Sequence, residues 1–362
     1  MSAVVTVQSL TNHLQEPLVT TTLPRTTSRV VLPGIVEPSG LLLEQAPVEP
    51  PAAGELLVAV EATGISFAEQ SMRRGRYFAQ PPFPFTPGYD LVGRLLAVGP
   101  GGDASLEGRR VAALTKTGGW TGHARVAARD CVLVPDGVAS EDAEAVVVNG
   151  VTAWQMLHRS ARVSRGDTIL LFGANGGVGG LVHRLARLEG IRVIGAASPR
   201  HHEALRAAGV EPVDYADPDL AARVRELAPG GVQAVFDNVG GATTRLAWSL
   251  LAPGGTLVAY AIVSASTGSI WPPFLRQLAR IQAYQLAPNG RRAAFYDLWA
   301  GHSLRPARFR ARLEEDLGRV LGLLADGSLT ANIAARFPLT GIVEAMELAE
   351  SRTLDGKVIL LP

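Results

Sequence analysis

Cysteine is almost absent from this chain of 362 residues, in which Cys131 is the single example. One cysteine can form neither an internal disulfide nor a zinc site built from several thiolates. Cys131 stands in the apolar stretch ARDCVLVPDG, where we expect it to be a buried hydrophobic residue. Disulfides are rare in the cytoplasm, and the scarcity of cysteine favours a cytoplasmic protein.

An excess of charge and long apolar runs are also lacking. The net charge is +1, which predicts neither nucleic acid nor a membrane surface as a partner. No apolar run approaches the roughly 18 residues of a spanning helix. The first residues lack the basic start and apolar core of a secretory signal. Their threonine-rich composition predicts a flexible extension over residues 1–28.

Two sequence textures divide the remainder, and the length itself favours two domains. Residues 29–148 contain short β-like runs separated by proline and glycine, which predicts a mostly β unit. Residues 149–289 alternate strand-like and helix-like stretches, which predicts βαβ units and a parallel sheet. The stretch RIQAYQL, residues 280–286, is predicted to be a further strand. Residues 290–362 carry two helix-like segments and a final strand, KVILLP.

The glycine-rich stretch TILLFGANGGVGGL, residues 168–181, is the first candidate for a binding site. A buried strand precedes the glycines, and apolar residues follow at offsets 0, 3, 4, 7 and 8 from Val178, as in a helix packed on a sheet. The pattern is a variant of the dinucleotide fingerprint, with Gly173 for the turn, Gly176 and Gly177 for approach of the pyrophosphate and Gly179 for helix contact. Backbone N–H groups of Gly177 and Val178 would face the phosphates. A glycine turn without a ligand is the alternative.

The end of the next strand selects the cofactor. An NAD-specific site usually places an acid there, but RVIGAAS and the following PRHH contain none from Arg192 to His202. Ser198 and Arg200 stand instead where a 2′-phosphate would lie, and arginine pairs well with phosphate. Tyr215, in VDYA, could pack beside it. We therefore favour NADPH. The alternatives are a solvated arginine for Arg200 and a plain surface tyrosine for Tyr215.

Several motifs together resemble a known family. They are GISFAEQSMRRGRY, FPFTPGYDLVG, VVVNGVTAWQML, GDTILLFGANGGVG, VFDNVGG, LAPGGTLV and LDGKVIL. Over residues 29–362 the chain resembles a medium-chain dehydrogenase/reductase of the zinc-independent quinone oxidoreductase branch. The resemblance implies an α/β protein in which residues 29–148 and 290–362 form a GroES-like catalytic domain. A Rossmann domain over residues 149–289 would lie between them and bind the cofactor.

The chain departs from the zinc enzymes of that superfamily at the metal-ligand positions. Their cysteine is replaced by Ser66, and their Gly-His-Glu reads Gly88-Tyr89-Asp90. The structural zinc loop with four cysteines is missing as well. His123 is a lone histidine in a strand-like run, where a structural role is more common. We predict no metal.

Without a metal, the expected chemistry is addition of a hydride to a quinone or to the C=C bond of an α,β-unsaturated carbonyl. Tyr77 matches a tyrosine of the related enoyl-thioester reductases and is the candidate donor to the developing oxyanion, with pocket lining as the alternative. Ser66 is a second candidate, for a polar contact near the nicotinamide. Phe67 and Trp271 are candidate walls of the substrate pocket, although core packing would explain both.

The resemblance adds further expectations. Asn149 and Thr152 would contact the nicotinamide end of the cofactor, Asn238 its ribose, and Lys357 the cofactor cleft, unless that lysine is a solvated terminal residue. The predicted strand 280–286 would pair across a homodimer. An NADPH-dependent quinone or enone reductase is the leading hypothesis, and a tailoring reductase of one specialised metabolite is a narrower form of it. The other class is a protein that binds the cofactor with little or no turnover.

Overall fold

The computed structural model describes residues 23–264, 268–351 and 353–362. The strands are β1 Thr26–Val31, β2 Leu42–Pro47, β3 Glu55–Ile65, β4 Asp90–Val98, β5 Arg110–Leu114, β6 His123–Ala127, β7 Cys131–Leu133, β8 Thr168–Phe172, β9 Arg192–Ala197, β10 Glu211–Asp214, β11 Val232–Asp237, β12 Leu251–Ala259, β13 Arg292–Phe295, β14 Ile333–Pro338 and β15 Lys357–Leu361. The helices are α1 Phe67–Arg73, α2 Ser140–Val146, α3 Val148–Gln155, α4 Gly177–Leu188, α5 His202–Ala207, α6 Leu220–Leu227, α7 Ala242–Ser249, α8 Trp271–Gln285, α9 Pro306–Ala325 and α10 Ile342–Glu350. A π-helical turn, Met156–Ala161, continues α3.

The first large sheet has seven strands and combines β3–β7 with the last two strands, β14 and β15. Its order is β14-β15-β3-β4-β5-β7, with β6 paired to β3. Strand β15, almost at the chain's end, pairs antiparallel with β3 and places Val358 opposite Ile65. The sheet therefore unites the early β-rich part with the final strand, as the GroES-like architecture requires.

The second sheet has six strands in the order β10-β9-β8-β11-β12-β13. Each neighbouring pair is parallel. Residues Ile169–Phe172 of β8 are buried, which explains their uniformly apolar sequence. This is the strand order of a Rossmann sheet, and it confirms the predicted doubly wound parallel sheet. The order reverses between β8 and β11, and ligands of such sheets bind at the carboxyl ends of the strands beside that point.

The predicted strand RIQAYQL is wrong, because residues 280–286 belong to α8 and its C-terminal end. Gln277 and Ile281 are buried and Phe274 and Tyr284 half-buried, at spacings of three and four residues that form one helical face. The outer strand of the second sheet is β13 instead, so this sheet extends beyond residue 289.

The predicted N-terminal extension lies mainly outside the described residues. The description begins at residue 23, and β1 already begins at Thr26. Strand β1 pairs antiparallel with β2. The last residues of the predicted 1–28 segment are therefore part of a small two-stranded sheet.

Candidate functional site

The glycine loop connects β8 to α4 at the point where the strand order reverses. Gly173 has a φ of +68°, which favours glycine, and its carbonyl accepts a hydrogen bond from the N–H of Gly176 at 3.0 Å. A Cβ on Gly179 would lie 2.1 Å from the carbonyl oxygen of Gly173. The helix begins at Gly177, so unpaired N–H groups and the positive end of its dipole lie at this loop. This geometry is suited to a pyrophosphate.

Two asparagines border the glycine loop. A Cβ on Gly177 would lie 2.6 Å from Nδ2 of Asn149, and a Cβ on Gly173 would lie 2.6 Å from Nδ2 of Asn238. Oδ1 of Asn238 is buried and has no hydrogen-bond partner among the described residues. A buried acceptor of this kind is stabilised by an incoming donor such as a ribose hydroxyl. The loop and its two amides therefore fit a dinucleotide, and the structure places both predicted asparagines beside the predicted glycines.

The residues predicted to select the cofactor lie at the carboxyl ends of two neighbouring strands. Ser198 directly follows β9, and Arg200 is exposed in the short turn before α5. Nε of Arg200 lies 3.3 Å from Nε2 of His201. Tyr215 follows β10 and has 59% of its surface exposed. This edge offers a cation and an aromatic ring without a carboxylate in the turn after β9, an arrangement suited to a 2′-phosphate.

Thr152 and Val178 lie on the two helices that pack together beside the loop. Thr152 is buried on α3, and Val178 is half-buried in the first turn of α4. The hydroxyl of Tyr296 is linked to the same helix, donating to Oε1 of Gln155 at 3.0 Å. Thr152 therefore lies near the loop but inside a packed interface.

Tyr77 follows α1 and has its hydroxyl oxygen 2.8 Å from that of Tyr89. Burial raises the pKa of Tyr77 to about 12, and the hydrogen bond with Tyr89 acts in the opposite direction. The phenol is thus protonated at neutral pH and can donate. A chain of neighbouring residues connects Tyr77 to the glycine loop. Tyr89 precedes Asp90, Oδ2 of Asp90 accepts from the N–H of Val148 at 3.0 Å, and a Cβ on Gly177 would lie 2.6 Å from Nδ2 of Asn149.

Ser66 is the N-cap of α1. Its Oγ accepts from the N–H of Ala68 at 3.1 Å and donates to Oε2 of Glu69, which also accepts from the N–H of Ser66. This is a capping box, and it engages the hydroxyl in helix formation. The other oxygen of Glu69 accepts from the N–H of Tyr89 at 2.7 Å, so the cap also fixes the segment that carries Tyr89.

Lys357 is buried and paired with two carboxyl groups, so the alternative of a solvated terminal lysine is wrong. Its Nζ is buried and donates to Oδ2 of Asp90 and Oε1 of Glu144, both at 2.7 Å. Burial disfavours the ammonium, but the two carboxyl groups nevertheless raise the pKa of Lys357. Burial and Asp90 raise the pKa of Glu144 well above its usual value, which favours its protonated form. It is the neighbouring Gly356 that meets the loop, through a backbone bridge to Gly176.

A row of contacting aromatic side chains extends from Tyr77 through Phe78 to α8. Phe78 stacks on Phe274 of α8 with ring centroids 5.6 Å apart, and Trp271 meets the edge of Phe274 at 6.2 Å. Trp271 is half exposed, as is Phe67 at the start of α1. The predicted wall residue Trp271 therefore joins an aromatic group near Tyr77, whereas Phe67 is an exposed residue of the first turn of α1.

Some residues of this site were missed by the sequence reasoning. In the sequence, Tyr89 stands out only as the replacement for a metal-binding histidine, and no motif marks Trp299. Nε1 of Trp299 donates to the hydroxyl of Tyr89. The residues are 210 positions apart, so no local pattern signals the contact. For Tyr89, its place in the Gly88-Tyr89-Asp90 motif was the available signal.

Within the three described ranges, no group of three or more His, Cys, Asp and Glu side chains could hold a metal ion. The described helices include none that is both long and apolar enough to cross a bilayer.

Comparison with known proteins shows the family to which the chain belongs. Residues 52–139 match the alcohol dehydrogenase GroES-like domain, and residues 209–360 match the family described as zinc-binding dehydrogenase. The human synaptic vesicle membrane protein VAT-1 homolog is 31% identical over 344 residues, which cover 92% of this chain and 86% of that protein.

Solved structures of similar fold indicate the same family. Mycobacterial Rv1454c complexed with NADPH has a TM-score of 0.80 and 28% identity, covering 93% of this chain and 100% of that one. A quinone oxidoreductase of Pseudomonas syringae pv. Tomato DC3000 has a TM-score of 0.79 and 27% identity, with the same coverage. The chain therefore belongs to the medium-chain dehydrogenase/reductase family, in the branch that contains quinone oxidoreductases and the VAT-1 homologs.

Proposed function

We propose that the protein is an NADPH-dependent reductase of quinones or of the C=C bond of α,β-unsaturated carbonyls. The observation that carries the proposal is the contact path from the glycine loop through Asn149, Val148 and Asp90 to the Tyr89–Tyr77 pair. The path supports a phenol, kept protonated by burial, as the donor near the predicted nicotinamide end. The solved relatives support it, since one is complexed with NADPH and another is a quinone oxidoreductase.

The chain's own residues have four tasks in this reaction. NADPH, when bound, supplies a hydride to an electrophilic carbon of the substrate. The glycine loop holds the pyrophosphate, and the asparagines at positions 149 and 238 orient the nicotinamide end and the ribose. Tyr77 donates to the substrate oxygen on which negative charge develops. The rings of Phe78, Phe274 and Trp271 offer an apolar surface that favours an apolar substrate.

Arg200→Ala is expected to raise the KM for NADPH by about 10- to 100-fold and to leave the KM for NADH nearly unchanged. The reason is that a charge-assisted contact with the 2′-phosphate contributes about 1.5–3 kcal/mol and NADH has no such phosphate. Steady-state kinetics with both cofactors measures the effect. Arg206→Ala, an exposed arginine on α5, is the matched control. Equal changes for both cofactors would contradict the assigned specificity.

Gly173→Ala is expected to weaken NADPH binding by at least about 10-fold, because its Cβ would meet Nδ2 of Asn238 at 2.6 Å and displace the loop. Gly209→Ala is the control: its φ of +79° carries a similar backbone strain of about 1–2 kcal/mol, but nothing lies within 4 Å of the new Cβ. Fluorescence titration with NADPH measures both. Equal loss of affinity in the two variants would mean that strain alone is responsible.

NADPH oxidation with a panel of small quinones and enones tests the proposed activity. Turnover of either class supports it. NADPH binding without turnover of any member would favour the alternative, a cofactor-binding protein of the same fold. Turnover of a single complex enone only would narrow the function to tailoring of one specialised metabolite.

A homodimer also belongs to this proposal. Strand β13, rather than residues 280–286, is the outer strand of the second sheet, and an outer strand can pair with its copy in a second subunit. Light scattering of the purified protein measures the mass. A monomer would contradict the expectation.

A further inference from the structure

Three aromatic side chains, Trp299, Tyr89 and Tyr77, form a hydrogen-bonded row that ends at the proposed proton donor. Nε1 of Trp299 donates to the hydroxyl of Tyr89, which lies 2.8 Å from the hydroxyl of Tyr77. Trp299 and Tyr89 are 9% and 6% exposed, whereas Tyr77 is half-buried. Tyr77 is thus the most exposed member of the row.

The row has a direction. An indole N–H can only donate, so the oxygen of Tyr89 is the acceptor in the contact with Trp299. The proton of Tyr89 must then find its own acceptor. Among the described residues, the oxygen of Tyr77 is the one hydrogen-bonding acceptor available to it. A buried donor without a partner costs about 1–3 kcal/mol, which favours donation from Tyr89 to Tyr77. The proton of Tyr77 is then left for a substrate.

Packing fixes the inner members of the row. The ring of Trp299 stacks on that of Phe309 at 5.9 Å, and Nζ of Lys116 lies 4.9 Å above the Trp299 ring. The backbone N–H of Trp299 donates to Oδ1 of Asp297 at 3.0 Å. These contacts hold the ring of Trp299 in place, and a fixed orientation is a requirement for a preorganised donor.

We infer that Tyr89 and Trp299 are positioning residues that direct the proton of Tyr77 into the cleft and stabilise its phenolate. This inference rests on the proposed reductase function. The substrate takes up a hydride from NADPH, which is oxidised to NADP⁺, and a proton from Tyr77, whose O–H bond breaks. The hydrogen bond from Tyr89 disperses the negative charge left on the oxygen of Tyr77, and water then returns the proton.

The carboxylates around Tyr77 oppose ionisation of its phenol, and the hydrogen bond from Tyr89 favours it. Burial raises its pKa, the hydrogen bond from Tyr89 lowers it, and the carboxylates of Asp297 and Glu69 raise it further. Lys116 lies at the far end of the row, over the ring of Trp299. Tyr89 is thus the group that makes Tyr77 more acidic within an otherwise unfavourable environment.

The test replaces Tyr77 by a fluorotyrosine, whose phenol ionises at lower pH, and follows its ionisation by fluorine NMR in the full-length protein without cofactor. Tyr89→Phe in this background should raise the ionisation midpoint by about one pH unit, which corresponds to one lost hydrogen bond. In the natural chain the same substitution should lower kcat about 10-fold with little change in the KM for NADPH. Trp299→Phe should also raise the ionisation midpoint and lower kcat, but by less. Tyr284→Phe, on α8, should change neither.

An unchanged midpoint in the folded Tyr89→Phe protein, verified by circular dichroism, would overturn the inference. A fall in kcat without a shift of the midpoint would do so too, since packing alone would explain it. A shifted midpoint in a protein that reduces neither substrate class would support the directed row and contradict the proposed function instead.

Discussion

Tyr77→Phe should lower kcat for an enone by about 100-fold while the affinity for NADPH stays nearly constant. The phenylalanine ring keeps the contact with Phe78, whose centroid lies 5.0 Å away, so the change removes the hydroxyl and little else. The enolate formed from an enone is a strong base and depends on the donor. The anion of a hydroquinone is weaker, and the loss with a quinone should be smaller.

The pH profile gives a second measurement of the same role. Catalysis requires the protonated phenol, so activity is lost only as the pH rises through the pKa of Tyr77. Burial raises that pKa to about 12, and kcat of the natural protein should therefore show no decline from this group between about pH 6 and 10. Tyr284→Phe, in which the changed ring stacks on Trp248, is the control and should keep full activity. Unchanged kcat in Tyr77→Phe would exclude the tyrosine as donor.

Lys357→Met should lower the free energy of unfolding by about 3–5 kcal/mol, because it leaves Asp90 without its buried counter-ion. Urea denaturation at pH 7.5 measures the loss. Arg336→Met is the matched control, since Arg336 forms an exposed pair with Glu141 at 3.1 Å and such pairs contribute at most about 1 kcal/mol.

The loss should also depend on pH. In the variant, Glu144 loses the ammonium that lowers its pKa, so burial and Asp90 raise that pKa in the folded state still further above its unfolded value. The folded variant then binds more protons than the unfolded chain, so its stability relative to the natural protein increases as the pH falls towards about 4. A loss that is the same at pH 5 and pH 7.5 would contradict an unpaired carboxylate as its cause.

The geometry of the glycine loop could be predicted from the sequence, because its signals are local. The glycines must lie between a strand and a helix, and a buried strand of four apolar residues and an amphipathic helix flank them in the chain. The absence of an acid from Arg192 to His202 is also a local fact. The resemblance supplied the two asparagines, which border the loop at Gly173 and Gly177.

Local signals misled where the pattern was ambiguous. The short stretch 280–286 has residues that suit a strand, and only the longer spacing from Phe274 to Tyr284 shows the helical face. Lys357 follows a loop that meets Gly176, which made a cofactor contact reasonable. The direction of its side chain into the buried carboxyl pair is set by β15 pairing with β3 and by the packing of α2, both distant in sequence.

The sequence by itself determined the two textures and the glycine loop between a strand and a helix, and it predicted the residues that would distinguish NADPH from NADH, since each depends on nearby residues of the chain. The tertiary structure decided the environment of Tyr77, the role of Lys357 and the cap formed by Ser66 and Glu69 against Tyr89. Such contacts join residues up to 267 positions apart. Burial and hydrogen-bond direction arise only when the chain folds, and these two properties set the protonation state of each group and decide which proton can reach a substrate.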